Sequence, residues 1–134
     1  MKYRLEEITV YTGGCESRVY VGLSWDSVVN LLPEGSVVII TDNNVFNIYG
    51  HLFPDYPVLK LKPGEESKQL ATIGFLAGEL LRYEIDRSGF LLGFGGGVIC
   101  DITGFLASVF MRGISFGFVS TSLLSQVDAS TGGK

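Results

Sequence analysis

Two patterns of hydrophobic and polar positions alternate along the chain, one that predicts strands and one that predicts helices. Residues 36–41 carry a continuous apolar run, which is typical of a strand buried on both faces. Residues 67–86 place apolar side chains three and four positions apart, which predicts an amphipathic helix with a core stripe. The members of that stripe are Leu70, Ile73, Leu76, Ala77, Leu80 and Leu81.

The rest of the chain continues this alternation. Residues 7–12 and 18–22, separated by Gly13 and Gly14, predict an N-terminal β-hairpin. Further strands are predicted at 58–61, 90–94 and 116–120, and further helices at 25–32, at 45–51 and from the glycine-rich turn at 95–97 to 110. Ile102, Phe105, Leu106 and Val109 should be the inward positions of that last helix. The predicted fold is α/β, with a mostly parallel sheet flanked by helices.

The glycine-rich turn is the first candidate for chemistry. Gly95, Gly96 and Gly97 have no side chain and can take positive φ, so the turn can bring backbone N–H groups against a phosphate at a helix N-terminus. Asp101, expected in the first turn of that helix, would repel a phosphate; we expect it to cap N–H groups or to accept from a ligand hydroxyl or amide. Cys100 stands where a dinucleotide fingerprint has its third glycine, so a tight strand-to-helix connection stays an alternative.

Other polar stretches fall at the same place in the predicted sheet. Parallel sheets bind ligands beyond the carboxyl ends of their strands. Residues 42–44, 64–68, 95–101 and 121–122 all lie at such ends. We therefore predict one ligand site along this edge.

Composition and charge narrow the class of ligand. A chain of 134 residues that is 46% hydrophobic suffices for one domain with its own core. A net charge of −4 gives no basic face, which disfavours nucleic acid. No apolar run reaches the roughly 18 residues of a membrane span and no signal peptide is present, so a cytoplasmic location without membrane contact is expected. With His51 as its one histidine, the chain should not build a multi-histidine metal site.

Five stretches together resemble the N-terminal domain of the 3-dehydroquinate synthase family. They are Thr41-Asp42-Asn43-Asn44-Val45, Pro63-Gly64-Glu65-Glu66-Ser67-Lys68, Gly95-Gly96-Gly97-Val98-Ile99-Cys100-Asp101, Met111-Arg112-Gly113 and the long motif from Thr121 to Lys134. They occur in the family's order. The sequence departs from the family pattern at Cys100, at Ser120-Thr121-Ser122 and at Ala129, where the family usually has glycine, proline-threonine-threonine and often serine.

The resemblance implies a Rossmann-like domain over residues 1–134 that binds NAD. The residues it implies for NAD are Asp42, Asn44, Glu65, Lys68, Gly96, Gly97, Val98, Asp101, Thr121 and Ser122. Asp128 and Lys134 would reach the substrate, and Arg112 would reach its phosphate end from the neighbouring subunit of a homodimer. The chemistry of the side chains agrees, because lysine and arginine suit oxyanions while carboxylates accept from ribose or adenine. Taken singly, Asp42 could instead be an N-cap, Glu65 part of an ordinary charged first turn, and Arg112 a cation beside a helix C-terminus.

Enzymes of this family convert the sugar phosphate DAHP (3-deoxy-D-arabino-heptulosonate 7-phosphate) to 3-dehydroquinate and phosphate in the shikimate pathway. They also need a divalent metal, zinc or cobalt, which the resemblance assigns to a C-terminal helical domain that is not matched here. The end at Gly132, Gly133 and Lys134, without a closing element, is interpreted as a domain boundary or a cut. We therefore expect these residues alone to be inactive. Two alternatives stay open: another sugar phosphate cyclase, such as a 2-deoxy-scyllo-inosose synthase, or a non-catalytic nucleotide-binding module.

Overall fold

The structure, a computed structural model, describes residues 4–130 and divides into two units, up to Leu32 and from Pro33. The first unit contains the antiparallel strands β1 (Glu6–Thr12) and β2 (Cys15–Val21) and the helix α1 (Trp25–Leu31). Gly13 and Gly14 both have positive φ, as a two-residue hairpin turn requires, and this tight turn extends the pairing to Thr12 and Cys15. The predicted hairpin is confirmed, with β2 beginning three residues earlier than expected.

The second unit is a four-stranded parallel sheet flanked by helices. Its strands are β3 (Val37–Asp42), β4 (Val58–Leu61), β5 (Phe90–Gly95) and β6 (Ser115–Ser120), in the order β4-β3-β5-β6. Its helices are α2 (Asn43–Tyr49), α3 (Leu70–Arg82) and α4 (Gly97–Val109). Every pair of neighbouring strands is parallel, so the predicted α/β fold is confirmed. The apolar runs in β3 and β5 are buried because both strands lie inside the sheet.

The core stripe of α3 is narrower than predicted. Leu76 and Leu80 are fully buried, whereas Leu70 is 77% exposed and Leu81 is 57% exposed. The helix is also shorter than 67–86. Ser67 lies in a separate 3-10 turn, where its hydroxyl donates to the Lys62 carbonyl at 2.5 Å. The helix stops at Arg82 because the chain then turns back and the Ile85 N–H donates to the Leu80 carbonyl.

The inward face of α4 is also rotated from the prediction. Ile102 and Leu106 are buried as expected, but Phe105 and Val109 are exposed. The helix packs against β5 and β6, and its close approach shows at Gly93, where an added Cβ would lie 2.7 Å from Thr103 Oγ1. Small residues are accordingly frequent among the buried positions of α4, which are Ile99, Cys100, Ile102, Thr103, Gly104, Leu106 and Ala107.

Candidate cofactor site

The glycine bend connects β5 to α4 at the carboxyl edge of the sheet. Gly95 ends the strand, Gly96 is the N-cap of α4 at φ −82° and ψ −166°, and Gly97 begins the helix. None of these three glycines has positive φ. The left-handed freedom that glycine allows is therefore not what this bend uses.

Space is what the bend requires. A Cβ at Gly95 would lie 2.7 Å from Ile99 Cγ1, so only glycine lets the first turn of α4 fold over the end of β5. At Gly96 a Cβ would lie 3.4 Å from Ser122 Oγ, and at Gly97 it would lie 3.7 Å from the Ala129 Cβ. Gly96 and Gly97 are half-buried, so their backbone is accessible from one side.

The N-terminus of α4 has backbone donors that the helix does not use. No side chain caps it, and the Cys100 N–H closes the first helical turn on the Gly96 carbonyl at 3.1 Å. The N–H groups of Gly97, Val98 and Ile99 therefore have no intrahelical acceptor, and the helix dipole adds positive potential there. The Val98 side chain packs against the core, so a ligand above the bend would meet its backbone.

The chain after β6 forms the second wall of the bend. The β5–β6 register pairs Gly95 with Ser120, and the Thr121 N–H donates to the Gly95 carbonyl at 2.9 Å. This bond accompanies the approach of Ser122 to Gly96. Ser122 is in turn hydrogen-bonded to the buried Ser125, which sequence reasoning missed. Two serines three positions apart, just before a helical segment, are typical of a reciprocal helix cap, and this pattern could have identified Ser125.

A charged cluster lies one turn further along α4. Lys68 Nζ is 2.7 Å from Asp101 Oδ2 and 3.1 Å from Glu65 Oε2. The hydrogen bond to Asp101 raises the pKa of Lys68, against the opposing effect of burial, and Glu65 adds to the rise. Lys68 thus contacts two other residues predicted for the cofactor. Lys68 and Asp101 line a cavity of about 310 Å³ whose apolar lining includes Leu70 and Phe105.

Asp101 does not take the position expected for it. Because α4 already begins at Gly97, Asp101 falls in the second turn, and the N-cap is Gly96. The prediction that Asp101 lies in the first turn is therefore wrong. Its carboxylate pairs with Lys68, so the two charges offset each other within the site.

Asp42 caps a helix, which was one of the two roles considered for it. Its carboxylate accepts from the Val45 N–H at 2.9 Å and starts α2 two residues earlier than predicted. The β3–β5 register pairs Ile40 with Gly93, and two residues further on it places Asp42 alongside Gly95. Asn44 lies on the exposed surface of α2. Asp42 therefore shares the edge with the bend.

Arg112 lies at the opposite end of α4 from the bend. The helix has 13 residues and is therefore about 20 Å long, which exceeds the reach of an arginine side chain. The turn at Phe110–Arg112 has Met111 at φ 50° and Arg112 at φ 67°, followed by Gly113 at φ 108°. This chain does not bring its own Arg112 to the bend.

The two remaining predicted residues belong to the last segment. Asp128 is exposed within a π-helical stretch, Ser125–Ala129, whose Ala129 is the neighbour of Gly97. Lys134 lies outside the described residues. The role of both in substrate contact stays a prediction.

Residues 4–130 contain neither a cluster of metal ligands nor a membrane-spanning helix. In that part of the chain, no three His, Cys, Asp or Glu side chains lie close enough together to hold a metal ion. The described residues therefore do not fit a metal site. Over the same residues, no helix combines the length and the apolar character needed to cross a bilayer.

The parallel sheet, with its glycine bend and helix N-terminus at the carboxyl edge, defines a Rossmann-like α/β domain. Residues 58–134 match the family model described as "3-dehydroquinate synthase N-terminal". The chain belongs to the 3-dehydroquinate synthase family.

Curated relatives agree with this assignment. The 3-dehydroquinate synthase of a Nitratiruptor species is 38% identical over 134 residues, covering 96% of this chain and 38% of the relative. The 3-dehydroquinate synthase of Clostridium botulinum (strain Alaska E43 / Type E3) is 47% identical over 115 residues, covering 79% of this chain and 33% of the relative. The chain spans about a third of the length of the curated relatives it matches.

Solved structures of related cyclases share the fold. A crystal structure of 2-deoxy-scyllo-inosose synthase complexed with carbaglucose-6-phosphate, NAD+ and Co2+ matches with a TM-score of 0.66 and 26% identity, over 78% of this chain and 32% of that one. The 2-epi-5-epi-valiolone synthase from Streptomyces hygroscopicus subsp. jinggangensis 5008, with NAD+ and Zn2+ bound, matches with a TM-score of 0.63 and 25% identity, over 70% of this chain and 29% of that one.

Proposed function

We propose that this chain is the NAD-binding N-terminal domain of a 3-dehydroquinate synthase, which converts DAHP to 3-dehydroquinate and phosphate. The observation that carries the proposal is the half-buried bend at Gly96 and Gly97, which opens onto the uncapped N-terminus of α4. This bend lies at the carboxyl edge of the sheet and within the part of the chain that matches the family.

The bend fits a dinucleotide phosphate. The N–H groups of Gly97 and Val98 are donors without an intrahelical acceptor, and the lack of side chains at Gly96 and Gly97 leaves the approach open. Ser122 and Thr121 form the adjoining wall. When bound, NAD+ supplies a hydride acceptor that the same reaction cycle regenerates.

The charged cluster suits the remainder of the cofactor. Lys68 stays protonated because Asp101 and Glu65 hold its pKa above the ordinary value. It is therefore a fixed cation in a chain whose net charge is −4. Glu65 and Asp101 each keep carboxylate acceptor capacity for ribose or adenine donors. Asp42 and Asn44 complete the proposed contacts on the side of β3 and α2.

The substrate contacts are proposed to come from more than one chain. Asp128 follows the wall of the bend and Lys134 follows Asp128 in sequence, so both belong to the part proposed to face the sugar phosphate. Arg112 is about a helix length from its own bend, so we assign it to the phosphate end of substrate in a neighbouring copy of a homodimer. Its guanidinium offers a planar pair of donors that suits phosphate oxygens.

The metal and the catalytic cleft are proposed to require a further domain. The curated relatives are about three times as long as this chain, and residues 4–130 do not fit a metal site. We therefore propose that residues 1–134 form the NAD-binding domain of a longer enzyme whose C-terminal helical domain holds a divalent metal. The 134 residues alone should bind NAD+ without turning over DAHP.

Two measurements test this function. Calorimetric titration of NAD+ into the 134-residue chain should show binding to a single site, and the absence of binding would remove the cofactor assignment. Phosphate release from DAHP should be undetectable with this chain and should appear with a longer protein that contains it. Turnover by the 134 residues alone would refute the proposed division into two domains.

One other cyclase remains a candidate because of the structural match to 2-deoxy-scyllo-inosose synthase. The same longer protein should be assayed with glucose 6-phosphate beside DAHP. Turnover of glucose 6-phosphate alone would replace the proposed substrate. NAD+ binding by a longer protein that turns over neither compound would instead favour a non-catalytic module.

A further inference from the structure

Ser125 is a fully buried serine that lies behind the predicted cofactor residue Ser122. Its side chain is 0% exposed, whereas Ser122 is partly accessible beside Gly96. The two residues bond reciprocally: the Ser125 N–H donates to Ser122 Oγ and the Ser122 N–H donates to Ser125 Oγ, each at 3.3 Å. This is a capping arrangement for the helical segment that follows Ser122.

The hydroxyl protons of this pair can be assigned from their acceptors. Ser125 Oγ donates to the Ser122 carbonyl at 2.9 Å, which uses its one proton. Ser125 Oγ can then act toward Ser122 Oγ, 3.0 Å away, only as an acceptor. The Ser122 hydroxyl must therefore donate to Ser125. With its further contact to the Ser122 N–H, the Ser125 hydroxyl has one donated and two accepted bonds and is saturated.

This assignment limits what Ser122 can offer a ligand. Its proton is used on Ser125, and one lone pair is used on the Ser125 N–H. One lone pair remains, on an oxygen that would lie 3.4 Å from a Cβ at Gly96 and so borders the bend. Ser122 is thus an acceptor beside the N–H donors of α4. A phosphate oxygen placed against it would meet another lone pair instead of a proton.

We propose that Ser125 is a positioning residue that holds the Ser122 hydroxyl as an acceptor, so that Ser122 receives a hydroxyl or amide N–H of the dinucleotide and not its phosphate. The inference rests on the proposed NAD+ site. The acceptor role of Ser122 fixes the orientation of the ligand along the bend. The pyrophosphate lies over the N–H groups of Gly97 and Val98, and a ribose hydroxyl or the carboxamide faces Ser122.

The matched variants are Ser125→Ala and Ser108→Ala. Ser108 also donates its hydroxyl to the carbonyl three residues earlier, that of Phe105 at 2.7 Å, but it lies on the exposed surface of α4. Ser125→Cys is a closer match in volume and replaces the hydroxyl with a weak acceptor. It keeps the test decisive if the alanine variant does not fold.

Two measurements on the 134-residue chain separate the outcomes. Three-bond NMR couplings should show one Ser122 rotamer in the wild type and in Ser108→Ala, and rotamer averaging in Ser125→Ala or Ser125→Cys. Titration should show NAD+ binding weakened about fivefold by the Ser125 substitutions, with inorganic pyrophosphate bound at least as tightly as by the wild type. The Ser108 variant should match the wild type for both ligands.

Specific results would overturn the inference. An unchanged Ser122 rotamer in both Ser125 variants would remove the positioning role, whether or not NAD+ binds. Equal weakening of NAD+ and pyrophosphate would show that Ser122 donates to phosphate. If the wild type bound no NAD+, the proposed function would fail, and the rotamer measurement would still decide whether Ser125 orients Ser122.

Discussion

The two ends of α4 both carry glycines and predicted functional residues, but the glycines work in different ways. At the N-terminal end, Gly95, Gly96 and Gly97 all have negative φ, and an added side chain at Gly95 would strike Ile99. At the C-terminal end, Gly113 has φ 108°, and a Cβ there would meet only the Ser108 carbonyl at 3.9 Å. One end is limited by space and the other by backbone conformation.

Substitutions at the two ends of α4 should therefore affect different properties, with ligand binding affected at the N-terminal end and folding at the C-terminal end. At the first end, the N–H groups of Gly97 and Val98 have no intrahelical acceptor and no side-chain cap. The second end contains two non-glycine residues in the left-handed region, Met111 and Arg112, so it stores backbone strain. Changes at the bend should therefore alter ligand affinity or packing, whereas changes at Gly113 should alter stability alone.

The largest effect is expected from Gly97→Val. A Cβ at this position would make only an ordinary contact with Ala129, 3.7 Å away, so the fold should survive. The branched side chain would occupy the space above the helix N-terminus and displace phosphate from its N–H groups. We expect NAD+ affinity to fall about a hundredfold, measured by calorimetry, since charge-assisted hydrogen bonds of roughly 1.5–3 kcal/mol each are lost.

Gly113→Ala is the control for that measurement, because it changes a glycine at the other end of the same helix. Its NAD+ affinity should equal that of the wild type. If Gly97→Val bound NAD+ as tightly as Gly113→Ala, the bend would not be the cofactor site, and the contrast between the two ends would lose its functional meaning.

The next effect in size is a loss of stability in Gly95→Ala. The new methyl group would overlap Ile99 at Cγ1 and at Cβ, 2.7 and 2.8 Å away, and a β-branched side chain in a helix cannot swing aside. We expect the free energy of unfolding to fall by about 1–3 kcal/mol in urea titrations.

Gly74→Ala is the matched control on α3. No atom lies within 4 Å of its added Cβ, so it should stabilise the protein by up to about 1 kcal/mol. Equal effects of the two substitutions would contradict the role of space at Gly95.

The same distinction explains what the sequence could and could not predict. Continuous apolar runs such as 37–40 within 36–41 identified the buried strands, because burial on both faces favours apolar side chains at successive positions. The edge that gathers Asp42, the bend and Ser122 followed from the parallel direction of the strands, since all carboxyl ends of a parallel sheet lie at the same edge.

The errors came from details that depend on packing distance. Phe105 and Leu70 have the right helical spacing for a core, yet both are exposed and border the same cavity. Helical spacing defines an apolar face, but the way each helix packs decides which positions of that face are buried. The sequence predicts Asp101 in the first turn of α4, but the helix begins at Gly97 and puts Asp101 in the second turn. No capping side chain marks that start in the sequence, because the N-cap is Gly96. The pairing of Lys68 with Asp101 joins residues 33 positions apart, which no local pattern encodes.

A smaller effect is expected from Gly113→Ala on stability. Its φ of 108° and ψ of 128° lie in a region that side chains with a Cβ rarely adopt. We expect a loss of about 1 kcal/mol in the free energy of unfolding, measured by thermal and urea denaturation. Beyond its chain neighbours, the added Cβ would meet only the Ser108 backbone carbonyl at 3.9 Å, which is an ordinary contact, so the loss comes from backbone conformation and not from a clash. An unchanged free energy of unfolding in Gly113→Ala would contradict this account of the C-terminal end.

The smallest effect tests whether the charged cluster beside the bend is held in the folded state. Asp101 and Glu65 raise the pKa of Lys68 above its ordinary value of 10.5. The folded state therefore binds the Lys68 proton more tightly than the unfolded state. The stabilisation is fully present below pH 10.5 and is lost as the pH rises through the raised pKa. The pair is about a third exposed, so we expect only a few tenths of a kcal/mol, measured as the difference in unfolding free energy between the wild type and Lys68→Met.

Lys62→Met is the control for this pH dependence. Lys62 pairs with Glu66 at 3.2 Å, but both side chains are mostly in solvent, so this pair should contribute little to stability. The Lys68 difference should hold steady at neutral pH and shrink in alkaline solution, whereas the Lys62→Met difference in unfolding free energy should be close to zero. A Lys68 difference that grew with rising pH would reverse the sign of the linkage. It would mean that Lys68 is not held by Asp101 in the folded protein, and the cluster would then be no part of the site that the bend begins.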